Sequence, residues 1–305
     1  MISMMVIHAC SYFLKSKGVF LIWNYLQWAV PVFLFCSFYL SLKSDKKIDF
    51  GKRLKRLFIP YWIFLFIYFI LLFIFEKKNF SFQYLTANIF LYKGLDFNWL
   101  VLLFFYFTFL IPFFKWLAKS KVFFYTFFGV ALSSSIFFIF SKPIPYRFIM
   151  WLPWSTYLYF TYFMIINEKN RLKTNLLVIV SFTVFLGLFF LEKNLGRNTS
   201  QFANKYPPTL LHLSFGMFST IITYRMSKAG LFDLKWLRRI LDFFSINSYS
   251  LYFIHILVMF VFGWTGIVWK LNWFSFFILI AGLSSGILLL WKSSRSAFGR
   301  LMSRS

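Results

Sequence analysis

The chain has 305 residues, 60% of them hydrophobic and 26% aromatic, with 33 Lys and Arg against 8 Asp and Glu for a formal net charge of +25. A mean hydropathy of +0.72 exceeds that of a soluble globular domain, and two cysteines, Cys10 and Cys36, support no disulfide framework and read as small buried hydrophobes. The cations stand between long apolar runs, where they orient a membrane protein, so nucleic acid is excluded as the partner that the charge would otherwise suggest.

A spanning helix needs about 20 apolar residues, within a range of about 17–25. On that ruler Met1–Leu14 is apolar but short, and is expected to be the outer part of a truncated first helix. Nine full segments follow at Gly18–Leu42, Leu57–Phe75, Phe97–Ala118, Val122–Phe140, Phe148–Ile166, Leu176–Leu191, Pro207–Tyr224, Phe243–Phe262 and Leu271–Trp291. The expected fold class is therefore all-α: a polytopic integral membrane helix bundle of about ten transmembrane spans, forming one domain over residues 1–305. The mixed stretch between Phe75 and Phe97 is too polar to span, and is expected at the outer interface or dipping back into the protein. Met1–Phe13 lacks the basic start and small-residue cleavage site of a signal peptide.

Loop charge gives an orientation. Alternate connections, starting after the second segment and counting Lys115 and the C-terminal tail, hold 22 of the 33 Lys and Arg, and the other connections hold 11. The richer set is expected in the cytoplasm, which puts both termini there.

The acidic residues Asp45, Asp49, Glu76, Asp96, Glu168, Glu192, Asp233 and Asp242 all fall in connections or at segment ends. With no carboxylate at mid-membrane, a carboxylate-driven proton pathway is not expected. The titratable groups inside segments are His8, His212 and His255. A neutral imidazole can take a proton from a hydroxyl as that hydroxyl attacks a carbonyl. It can equally be a buried ring hydrogen-bonded to a neighbouring helix, and position alone does not separate the two. The densest basic run is Lys52-Arg53-Leu54-Lys55-Arg56. Arg53 and Arg56, spaced i, i+3, lie on one side of a helix. Their guanidinium forks suit phosphate, although anchoring to anionic lipid headgroups explains the run as well.

Several stretches in order resemble the integral-membrane acyltransferase 3 family. They are Val6-Ile7-His8; Trp28 through Tyr39 with its Val30-Pro31-Val32-Phe33 core; Lys52 through Tyr61; Phe97-Asn98-Trp99-Leu100-Val101; Lys205-Tyr206-Pro207-Pro208; and Ser248-Tyr249-Ser250-Leu251-Tyr252-Phe253-Ile254-His255. The resemblance implies a membrane O-acyltransferase. It would move an acyl group, commonly acetyl, from cytoplasmic acyl-CoA to a hydroxyl of a cell-envelope glycan or lipid-linked sugar, without a metal. It maps the catalytic histidine onto His8 and the donor-binding pair onto Arg53 and Arg56, in an inner-membrane protein in contact with lipid. The family's arginine, eleven positions before its histidine, would fall ahead of Met1. Asn98 stands where many members carry His, and Cys36 and Phe38 replace part of a Ser-Gly turn. The alternative is an exporter of polysaccharide or lipid-linked sugar, with Trp151, Trp154, Tyr157, Tyr159 and Tyr162 stacking on sugar rings along a pathway, or an inactive truncated member of the family.

Overall fold

The computed structural model describes residues 1–44, 49–141 and 145–302; Asp45 lies outside them. The helices are α1 (Ile2–Cys10), α2 (Lys17–Tyr25), α3 (Ala29–Lys43), α4 (Phe50–Phe75), α5 (Phe82–Ile89), α6 (Trp99–Leu117), α7 (Lys121–Phe140), α8 (Trp151–Ile166), α9 (Arg171–Asn194), α10 (Leu210–Lys228), α11 (Lys235–Ile246), α12 (Ser248–Trp264) and α13 (Trp273–Met302). No strand occurs among the described residues. The expected all-α class holds. The 16-residue segment Leu176–Leu191 proves to be the core of the 24-residue α9.

Large apolar side chains cover the outside: Phe66, Ile74, Leu172, Ile179 and Trp291 are all exposed. Only 17% of the apolar window of α9 and 22% of that of α7 is buried. Water would not tolerate that surface, whereas lipid does. The protein is a membrane protein.

Among the described residues, six helical stretches are long and apolar enough to cross a bilayer: Lys17–Lys43, Phe50–Phe75, Trp99–Leu117, Lys121–Phe140, Arg171–Asn194 and Trp273–Ser294. The pair α11 and α12, bent by 81°, makes a seventh if taken as one span. The other apolar segments of the sequence also form helices, α1, α8 and α10, but these do not meet that test. Length accounts for α1 and α8, which have 9 and 16 residues. Composition accounts for α10, which buries His212, Ser214 and Thr220 against its neighbours. Two local boundaries also move. The sequence places a membrane segment from Phe243, but α11 continues to Ile246, with Lys235, Arg238, Arg239 and Asp242 interleaved among apolar residues as in a helix lying at an interface. Cys36, expected buried, is exposed on α3, while Cys10 is buried; both thiols are free.

The helices form two compact units. The first comprises Met1–Leu26, Phe58–Ile89 and Asp233–Ser305, and the second Gln27–Leu57 and Phe90–Phe232. In the first, α1 packs on α13 and α13 on α12. Met5, Leu251 and Leu288 form one of its buried clusters. In the second, α8 and α10 are central: α10 packs on α9 and α3, and α8 on α7 and α3. Gly216 of α10 permits the α3 crossing, because a Cβ there would lie 2.6 Å from the Pro31 ring.

This contact gives a prediction. Gly216→Ala forces the α3–α10 crossing apart and should cost roughly 1–3 kcal/mol, the usual penalty of overpacking. Gly187→Ala on α9, with nothing within 4 Å of the new Cβ, should be neutral or stabilise by up to about 1 kcal/mol through helix propensity. Thermal unfolding of both variants in one detergent checks the order; a Gly216→Ala protein as stable as Gly187→Ala would contradict the contact.

Candidate active site

His8 stands in the last turn of α1, which ends where the Ser11 hydroxyl donates to the His8 carbonyl at 2.6 Å. That bond satisfies one of the carbonyls a helix end leaves without a partner. The ring is positioned by packing one turn earlier. Met5 shares a buried apolar cluster with Leu251 of α12 and Leu288 of α13. His8 follows Met5 by three residues and His255 follows Leu251 by four, so both lie on the same faces one turn on. The two imidazoles accordingly meet, with His8 Nδ1 2.7 Å from His255 Nε2. Their planes differ by only 7° and their centroids are 5.0 Å apart. That separation is the nitrogen–nitrogen distance plus the two ring radii, so the rings lie edge to edge in a common plane. His255 is fully buried, and its Nδ1–H donates to the Leu251 carbonyl at 2.7 Å. His8 is half-buried. The structure thus joins the histidine the sequence favours to one it left undecided.

Arg53 and Arg56 lie in the first turns of α4, in the second unit. Asp49 starts that helix, its carboxylate accepting from Lys52 N at 2.9 Å. Arg53 is half-buried and Arg56 exposed. Neither guanidinium has a hydrogen-bond or ion-pair partner among the described residues. In the same unit Glu168, between α8 and α9, gathers Lys43 at 2.9 Å, Lys228 at 3.3 Å, and the hydroxyls of Tyr39 at 3.0 Å and of Tyr224. The Lys43 ammonium, followed by the Tyr224 hydroxyl, holds its carboxyl down at about 2. A polar cavity of about 900 Å³ opens beside it, lined by Lys43, Glu168, Lys169, Asn170, Arg171 and Lys173 among others.

The second unit also buries Arg147, Lys205 and His212, among other polar groups. Arg147 donates to the carbonyls of Leu91 at 3.3 Å, Lys93 at 3.0 Å and Leu95 at 3.1 Å, and to Asn98 Oδ1 at 2.5 Å. Turning those carbonyls inward takes positive φ at Leu91 and Gly94, 63° and 93°. Asn98, at the position where family members often carry His, is thus an acceptor holding a loop. Lys205 is buried, donates to Gln27 Oε1 at 2.9 Å and lies over the rings of Trp99 and Tyr206. Burial pulls its ammonium down to about 7. His212 Nδ1 lies 3.2 Å from Gln201 Oε1, and its Nε2 has no partner among the described residues.

The aromatic row weighed as a sugar pathway is largely core. Trp154 and Tyr157 are fully buried, the Tyr157 hydroxyl donates to the Gly216 carbonyl at 3.0 Å, and the Tyr159 hydroxyl donates to Phe124 O at 2.8 Å. What the sequence did not disclose is the pairing of His8 with His255, the burial of Lys205 and the four-partner role of Glu168. The first had a readable signal: equivalent helical spacing from an apolar contact to a histidine on two segments.

The first unit thus presents an imidazole pair within helices, and the second carries two arginines at the start of α4 with no side-chain partner among the described residues. The family model of the acyltransferase 3 family, an acyltransferase domain, matches residues 1–291. The chain belongs to that family, whose membership supports a membrane acyltransferase activity. No curated protein and no solved structure matches it.

The Glu168 cluster carries a pH prediction. A carboxyl lowered in the folded protein stabilises it fully above its unfolded value, near 4.5, and loses that contribution as pH falls toward about 2. Because the cluster is partly exposed, its worth is discounted to roughly 1 kcal/mol. Glu168→Gln should therefore unfold slightly below wild type at pH 7, with the gap closing between pH 4.5 and 2. A gap unchanged over that range in thermal scans would contradict the assignment.

Proposed function

We propose that the protein is a membrane O-acyltransferase, moving an acyl group, acetyl above all, from cytoplasmic acyl-CoA to a hydroxyl of a cell-envelope glycan or lipid-linked sugar. The observation that carries this reading is the His8–His255 pair, set beside membership of the acyltransferase 3 family. In the reaction His8 removes the proton of the acceptor hydroxyl as its oxygen attacks the thioester carbonyl. The new carbon–oxygen bond forms, the carbon–sulfur bond breaks, and the departing thiolate takes up the proton that His8 received. No metal is needed for these steps.

Arg53 and Arg56 bind the donor's phosphates as forked, charge-assisted donors. Their lack of side-chain partners among the described residues supports this role, as does the presence in the same unit of a polar cavity lined by Lys43, Lys169, Arg171 and Lys173. The two-to-one bias of Lys and Arg supports placing this face in the cytoplasm. The protein then lies in the inner membrane, with both termini cytoplasmic and lipid around its apolar exterior. The buried aromatic side chains of α8 speak against the exporter reading.

Labelled acetate incorporation into envelope glycan of cells expressing the variants tests the proposal. His8→Ala should reduce transfer by about 10²-fold or more, the usual contribution of a general base. Arg53→Ala with Arg56→Ala should raise KM for acyl-CoA about tenfold or more, since each charge-assisted hydrogen bond is worth about 1.5–3 kcal/mol, and should change kcat less. Undiminished incorporation by His8→Ala would remove the base; an unchanged KM would remove the arginines from the donor site.

A further inference from the structure

We propose that His255 is a positioning residue that fixes the tautomer of His8, so that His8 holds its proton on Nδ1 and presents the lone pair of Nε2. The catalytic consequence rests on His8 being the base of the proposed reaction; the tautomer itself does not.

The assignment follows from donors and acceptors taken in sequence. A backbone carbonyl accepts and never donates, so the 2.7 Å contact with Leu251 O places a proton on His255 Nδ1. A neutral imidazole carries one N–H, so His255 Nε2 is then an acceptor. His8 Nδ1, 2.7 Å away, must supply the proton of that bond. His8 in turn has one N–H, now committed to Nδ1, and its lone pair is on Nε2. The coplanar rings, 7° apart, aim the proton along the His255 lone pair, the orientation in which such a bond is strongest.

Two features fix the chain of assignments at its buried end. His255 sits in mid-helix with no exposed surface, so water does not compete for its nitrogens. Leu251 is the residue one turn before it, and the same Leu251 shares a buried apolar cluster with Met5 and Leu288. The residue that joins this apolar cluster from α12 therefore also supplies the carbonyl that orients the pair. When His8 takes a proton on Nε2 its Nδ1–H remains bonded to His255 Nε2. The imidazolium is thus held in place by an uncharged acceptor.

The chain has three histidines, so ¹⁵N-histidine labelling yields three ring systems, and His212→Gln and His8→Gln assign them by deletion. In the full chain in nanodiscs at pH 8, the expected spectrum shows His8 with a protonated Nδ1 and an unprotonated, pyridine-type Nε2, and His255 the same. His255→Leu removes the acceptor. His8 should then shift to the Nε2–H tautomer, and kcat for acyl transfer should fall by about 10- to 1,000-fold, with KM for the donor within about twofold. His255→Gln places an amide oxygen where Nε2 was and should retain both the Nδ1–H tautomer and most of kcat. A wild-type His8 protonated on Nε2, or on both nitrogens, overturns the proposal, as does a His8 tautomer unmoved in His255→Leu. Retained transfer by His8→Gln with the expected wild-type spectrum would instead remove the base reading and leave the tautomer standing.

Discussion

The hydrocarbon core of a bilayer offers no water, so each polar group placed in or beside it must find its partner within the protein or go without. That constraint leaves phenylalanine, isoleucine and tryptophan on the outside here as well as in the core, and it sets a few polar groups, among them Arg147, Lys205, His212 and His255, in the interior. It also explains why so few buried polar side chains are idle. Arg147 is spent on three carbonyls and Asn98. Lys205, which makes no ion pair among the described residues, is held by an amide oxygen and two aromatic faces. Serine and threonine hydroxyls along α6, α8 and α10 return to carbonyls of the preceding turn, as at Thr108, Ser155 and Ser219.

The membrane class and the helices were legible because lipid-facing sequence must be apolar over a fixed length, and nothing else in a chain has that signature. The central helices were legible as segments but not as a kind. α8 and α10 touch more protein than lipid, so they carry Thr156, Ser214 and His212 and fall short of the apolar length that the outer helices reach. The bend at Asn247 was hidden for a different reason. Its side chain donates to the Phe243 carbonyl and accepts from Lys292, 45 residues away, and no local pattern reports such a partner.

The candidate residues divide in the same way. His8, Arg53 and Arg56 stood out in the sequence because charge and imidazole are rare in apolar surroundings, and because their spacing resembles a family pattern. What each of them touches did not, since tertiary contact decides it. Asn98 looked like the loss of a functional group in sequence; in the fold it is the acceptor at the centre of the Arg147 loop. His212 and His255 looked alike, each a single imidazole in an apolar run. One lies beside Gln201 with an unpartnered nitrogen, and the other is bonded at both nitrogens.

Soluble enzymes commonly orient a catalytic imidazole with a carboxylate, which adds a charge-assisted bond worth more than a neutral one. Inside a bilayer that choice carries a desolvation cost of several kcal/mol for the ion alone, more than the roughly 1 kcal/mol by which the charged bond exceeds a neutral one. The described carboxylates of this chain lie in loops, at helix ends or on the amphipathic α11, which agrees with that balance. A second imidazole gives the same directional acceptor without a net charge. It needs only one further condition, a fixed proton on its far nitrogen, and a helix provides this at every turn, because a carbonyl lies one turn before any residue on its surface. The neutral pair is thus the form that an orienting hydrogen bond takes where the medium will not carry an ion.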